Sequence, residues 1–229
     1  MGKFEVKLNK LRAMLTSDVG LEIEVAARLF SKAFALGCRS EAEIAEYRTA
    51  TKFKVFRDEV SPTLFLLDRM KIGSGKLKFA FDSSVPDAFL NRKGRNLGIE
   101  VTQALGTEEA AILRTLNTEG SSPGFVGKSD SSFKDHFPMK KRDMYSTAEA
   151  FCAVKQSISV RIDAKMSEKF RGMLLIVSAP LNAIPSQEWE PLKSDLLCVS
   201  KKSPFGWIVV VDRAKNGKPI FLKGEHATI

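Results

Sequence analysis

Val85-Pro86-Asp87-Ala88-Phe89-Leu90-Asn91-Arg92-Lys93-Gly94-Arg95-Asn96-Leu97-Gly98-Ile99-Glu100-Val101-Thr102-Gln103 is the stretch from which the fold reads outward. Two strand-like runs, 86–90 and 97–103, flank the polar segment Asn91 to Asn96, which is the pattern of a β-hairpin. A turn centred between Lys93 and Gly94 sets Asn91 opposite Asn96 and, further along, Asp87 opposite Glu100. Alternation puts Ala88, Leu90, Leu97, Ile99 and Val101 on a core face and Asp87, Phe89, Gly98, Glu100 and Thr102 on the other. Opposed Cβ atoms stand roughly 4.5 to 5.5 Å apart, so two like charges there repel unless something offsets them. A divalent cation would offset them. Two hard carboxylate ligands, beside a glycine that leaves room for a close approach, suit Mg²⁺ or Mn²⁺ far better than zinc. The competing reading of the same residues is a solvated outer face bearing two incidental acids.

Residues 1–72, ahead of the hairpin, read as helices. A short one lies near Phe4 to Leu15, one runs from Asp18 to Leu36 with Gly37 at its C-cap, and one from Ser40 towards Glu59 opens on a Ser40–Glu43 capping-box spacing. Pro62 starts a fourth. Gly73-Ser74-Gly75 ends that period, and Leu77, Phe79 and Phe81 begin a strand. Beyond the hairpin come a helix from Thr107 to Leu116 and a basic segment, 117–145, expected to be a mobile loop. It carries Lys128, Lys134, His136, Lys140, Lys141 and Arg142, and also Phe125, Phe133 and Phe137. A long helix then opens at Ser146 and Glu149 with the stripe Phe151, Val154, Ile158 and Ile162. A strand from Met173 to Ser178, a helix around Trp189 to Leu197, a strand from Trp207 to Val211, a turn at Asn216-Gly217 and a strand from Ile220 to Leu222 complete the chain. The expectation is a single α/β (α+β) domain over 1–229. A central mixed sheet of about five strands with flanking helices, in residues 76–229, follows the N-terminal helical segment.

The 229 residues carry 36 Lys and Arg against 27 Asp and Glu, a formal charge of +9. That excess favours a polyanionic partner, nucleic acid first, although an anionic membrane surface attracts cations by the same physics. Lys93 and Arg95 at the hairpin tip, with Lys128, Lys134, Lys140, Lys141 and Arg142 in the loop, are the candidate phosphate contacts. Cys38, Cys152 and Cys198 are far apart, and only His136 and His226 accompany them, which argues against zinc and against a disulfide framework. The N-terminus lacks a signal-peptide apolar region and no apolar run reaches membrane-spanning length, so a cytoplasmic protein is expected.

Pro86-Asp87 followed by Glu100-Val101-Thr102 resembles the active-site hairpin of PD-(D/E)xK nucleases, the enzymes of restriction, repair and defence. The following helix and strand fit that superfamily's αβββαβ, restriction-endonuclease-like core. The resemblance implies metal-assisted phosphodiester hydrolysis, of DNA ahead of RNA, with Asp87, Glu100 and the main-chain carbonyl of Val101 as Mg²⁺ (or Mn²⁺) ligands. Nucleases of this size often act as homodimers. Thr102 departs from the family's pattern, which has a Lys there to orient the attacking water. Lys155, in register with Phe151, Ile158 and Ile162, is the candidate replacement, with Gln103 and Gln156 ranked behind it. Asp82 reads as a turn-former, and Glu43 and Glu46 as further acids on an early helix. Two other readings stay open: a catalytically inactive nucleic-acid-binding or regulatory module, and a basic protein-interaction domain.

Overall fold

The computed structural model describes residues 3–34, 42–43, 46–47, 50–82, 84–105, 146–214 and 217–224. At its centre is a seven-stranded sheet whose strand order follows the chain. The strands are β1 (Leu21–Glu22), β2 (Lys76–Phe79), β3 (Ala88–Arg92), β4 (Arg95–Gln103), β5 (Leu174–Ala179), β6 (Trp207–Asp212) and β7 (Ile220–Lys223). From β1 to β4 neighbours pair antiparallel, β4, β5 and β6 pair parallel, and β7 returns antiparallel. The sheet is mixed, as expected, but wider than the five or so strands read from sequence.

The least legible strand, β1, lies inside the segment expected to be helical from Asp18. Gly20 has φ +69°, and a Cβ there would sit 2.9 Å from the Leu77 carbonyl oxygen. This close approach sets Leu21 against Leu77 and Glu22 against Lys76, and only then does α2 (Ile23–Phe34) begin. α1 spans Lys3–Leu15. Helical periodicity is real in α2; pairing with β2 overrides it at the helix's expected start.

A second departure bears on the site. The chain is extended at Ala50 (φ −68°, ψ 135°), and from Thr51 it is helical through α3 (Ser61–Arg69), with a π-helical turn at Phe56–Val60. Pro62 explains the turn. It has no N–H for the Asp58 carbonyl, and in a regular α-helix its ring would collide with that carbonyl. The wider turn bonds the Ser61 N–H back to the Phe56 carbonyl, and Gln103 on β4 donates its side-chain N–H to the Asp58 carbonyl at 3.2 Å. A π turn of this kind commonly marks a functional segment.

Two cores sandwich the sheet. Phe4, Leu8, Leu66 and Leu67 of α1 and α3 pack on Leu77, Phe79, Leu90 and Ile99. On the other face, α4 (Thr147–Asp163) and α5 (Trp189–Lys202) bury Val154, Ile158, Leu192 and Leu196 against Leu175, Val177, Ile208 and Val210. β5 is buried along its whole length, as a central parallel strand covered on both faces should be. The Ser146 hydroxyl and the Glu149 carboxylate form the expected reciprocal cap on α4. Helix 107–116, the basic loop 117–145, Gly37, Ser40 and Asn216 lie outside the described residues. No described helix is long and apolar enough to cross a membrane.

Candidate active site

The hairpin register is the one its symmetry implies: Ala88 faces Ile99 and Asn91 faces Asn96, with the Asn91 amide donating to Asn96 Oδ1 at 2.7 Å. The turn is tight because Lys93 (φ +50°) and Gly94 (φ +75°) both take left-handed backbone, as a type I′ hairpin requires.

β3 begins at Ala88, opposite Ile99, while β4 runs on to Gln103 with β5 as its partner. The step this leaves in the sheet is where the acids gather. Asp87, one residue before β3, is tied to β2 through its carbonyl, which accepts the Ala80 N–H at 3.0 Å. Its carboxylate turns the other way and accepts the Val101 N–H at 2.7 Å. Glu100 is buried, at 4% exposure. Its Oε1 accepts a hydrogen bond from Lys165, and its buried Oε2 has no hydrogen-bond partner among the described residues.

Lys165 comes from the end of α4. Its N–H closes a last turn on the Ile162 carbonyl at 3.0 Å, so the side chain leaves from the negative end of the helix dipole, where a cation is favoured. The π turn delivers a third acid from the opposite core, Glu59, whose own carbonyl accepts the Thr63 hydroxyl at 2.8 Å.

Burial pushes the Glu59 carboxyl up to about 8, helped by the charges of Asp87, Asp58 and Glu100 and opposed by Lys54. Burial likewise pushes Asp87 up to about 6; the Val101 N–H pulls it down, Glu100 pushes it up, and Lys165 and Lys54 pull it down. The folded protein therefore holds protons that the unfolded chain, titrating near pH 4, has released. This stability is fully present below about pH 4 and is lost as the pH rises through 6 and then 8. Thermal unfolding should accordingly shift to lower temperature between pH 5 and pH 8.5. Glu59→Gln should remove the upper part of that slope and stabilise the protein at pH 8 by on the order of 2 kcal/mol, after discounting for the side chain's partial exposure. A wild-type melting temperature that rises over this window would contradict the assignment.

The residues singled out from sequence are placed as follows. Asp87, Glu100 and Val101 come together, with Val101 joined to Asp87 through its N–H. Thr102 holds its place in β4 opposite Val177. The ammonium at Glu100 belongs to Lys165 and not to Lys155, whose Nζ is 3.0 Å from Asp195 on α5; that contact raises its pKa. Gln156 is exposed, and Gln103 is spent on the Asp58 carbonyl. Asp82 is a turn residue, accepting the Ser84 N–H at 2.8 Å. Glu46 pairs with Lys52 at 2.6 Å, and Glu43 lies on a helical segment. Gly98 does admit a close approach, but of protein: Met173 Cγ and Pro86 Cγ would lie 3.1 and 3.2 Å from a Cβ there. Lys93 and Arg95 are exposed at the tip. Lys128, Lys134, His136, Lys140, Lys141 and Arg142 lie outside the described residues. Sequence reading missed both Glu59 and Lys165.

Among the described residues no group of three or more His, Cys, Asp or Glu side chains is arranged to hold a metal ion. The donor chemistry nevertheless fits a hard cation: Glu100 Oε2 is a buried carboxylate oxygen with no hydrogen bond, and Asp87 and Glu100 repel each other across the same step. Compared with protein-family models, with curated proteins and with solved structures, the chain matches none of them.

Proposed function

We propose that the chain is a metal-dependent nuclease that hydrolyses phosphodiester bonds in nucleic acid, DNA ahead of RNA, on a core of the PD-(D/E)xK type. The element order α3, β2, β3, β4, α4, β5 supports that assignment. The observation that carries it is the pairing of Glu100 with Lys165 beside Asp87. Two carboxylates and an ammonium gather at the end of a hairpin in a chain of net charge +9.

Asp87 and Glu100 would hold Mg²⁺ or Mn²⁺. The ion would supply Lewis acidity toward the phosphate and a water of lowered pKa. The protein's own contribution is positional. Val101 fixes Asp87 Oδ2, Lys165 fixes Glu100 Oε1, and the remaining N–H bonds of the Lys165 ammonium are available to hold a water or a phosphate oxygen. Lys165 thus takes the part that Thr102 cannot. Glu59 keeps its carboxyl proton at neutral pH and adds a third oxygen group to the rim.

Thr102 also favours a second reading, in which the same surface binds nucleic acid without turnover. Incubating the protein with single- and double-stranded DNA and RNA, with Mg²⁺, with Mn²⁺ and with EDTA, separates the two. Metal-dependent cutting is expected; binding without cutting under every condition would leave the second reading standing.

A further inference from the structure

On the side of the sheet that carries Glu100, β2 and β3 present Lys76, Lys78, Phe89 and Asn91, because their alternating neighbours Leu77, Ala88 and Leu90 fill the first core. The second core draws nothing from these two strands: α4 and α5 cover β5 to β7. Among the described residues, no helix covers this shelf of sheet, which runs into the acid site.

Phe89 is its central feature. It follows Asp87 by one turn of the pleat, and its neighbour across β4 is Gly98, over which Met173 and Pro86 pack, leaving the ring exposed beside them. On the β2 side its neighbour is Lys78. The ring is 44% exposed on an interior strand of the sheet. Val85 is also exposed and flanks Asp87 on its other side, and exposed Met166 follows Lys165, so three of the six large apolar side chains exposed among the described residues stand one or two positions from a site residue.

The cations beside the ring each face an acid across the sheet edge, Lys76 opposite Glu22 and Lys78 against Asp18. Lys78 is held by Asp18 at 3.1 Å in an exposed pair, weak enough to be exchanged for a phosphate. Lys76 lies behind it, and Lys93 and Arg95 stand at the hairpin tip. A flat sheet bearing an exposed aromatic ring between cations suits a strand whose bases are unstacked. In a duplex the bases already stack on one another and offer no face.

We infer that this shelf binds unpaired nucleotides, with a base stacked on Phe89 and its neighbouring phosphates on Lys76 and Lys78, so that the acid site acts on single-stranded or locally melted nucleic acid. The inference rests on the nuclease reading only for what happens at Asp87 and Glu100; the binding itself is separate. Fluorescence anisotropy of the full chain in EDTA, with a labelled single-stranded DNA, a single-stranded RNA and the matching duplex, tests it. Phe89→Ala should weaken binding of a single strand by about fivefold or more, the loss expected of one stacking platform. Phe89→Tyr should restore it, which also controls for folding, and duplex affinity should change less.

Unaltered single-strand affinity in Phe89→Ala, an equal loss on duplex and single strand, or no binding by the wild type would each overturn the inference. Cleavage that needs Glu100 but is indifferent to Phe89 would sink it and leave the nuclease standing. Phe89-dependent binding with no cleavage would do the reverse.

Discussion

Glu100→Gln is expected to lower metal-dependent cleavage by about a thousandfold or more while nucleic-acid binding persists. The substitution keeps the shape of the side chain and removes one charge. What it takes from the site is the anionic oxygen that would hold the cation, an interaction worth several kcal/mol of transition-state stabilisation. It also leaves the Lys165 ammonium without its carboxylate and relieves Asp87 of a repelling neighbour, so the Asp87 carboxyl should titrate below the value of about 6 it has beside Glu100. Cleavage kinetics and carboxyl NMR titration read the two effects separately. If both cleavage and binding are indifferent to this change, the acids are incidental to function.

Lys165→Met should cost the fold about 3 kcal/mol or more. Glu100 is 5% exposed at its side chain and Lys165 22%, so removing the cation strands a buried carboxylate whose other oxygen already has no partner. Urea unfolding at pH 7 measures the loss. On the nuclease reading, cleavage should also fall by about a hundredfold in the fraction that remains folded, because the ammonium proposed to hold the phosphate is gone. The double variant Lys165→Met/Glu100→Gln should recover part of the stability, because it removes the stranded charge; a loss unchanged in the double variant would point to packing of the lysine stem instead. Lys155→Met breaks only an exposed pair with Asp195 and should leave the stability almost unchanged.

The contrast between these two lysines shows how far the sequence could be read. The stripe Phe151, Ile158, Ile162 that selects Lys155 also reaches Lys165 when extended by three residues, so periodicity alone offers both. What separates them is which end of α4 lies beside Glu100. β5 pairs parallel with β4, Glu100 is opposite Leu175 near the start of β5, and the link from α4 to β5 is short, so the helix's C-terminal end is the near one. That fact belongs to topology, and local spacing does not contain it.

The hairpin was legible because its evidence is local: two alternating runs and a Lys93-Gly94 turn fix the register without reference to anything distant. β1 was not, since a two-residue strand carries no period of its own and exists only through its pairing with β2. Glu59 was hidden for a different reason. The early-helix acids considered from sequence, Glu43 and Glu46, were chosen by helix position, while Glu59 comes to the site through a helical irregularity imposed by Pro62.

That irregularity gives the fold a degree of freedom of its own. A π turn amounts to one residue more than a regular helix needs, so the side chains before and after it are out of phase by roughly 100°. The rotation of Glu59 about the helix axis is therefore set by chain length between Phe56 and Val60, whose own side chains are anchored in the first core. Descent with gain or loss of a single residue there would bring the third acid in or turn it out, changing which oxygen groups line the site's rim without adding or removing a strand or helix.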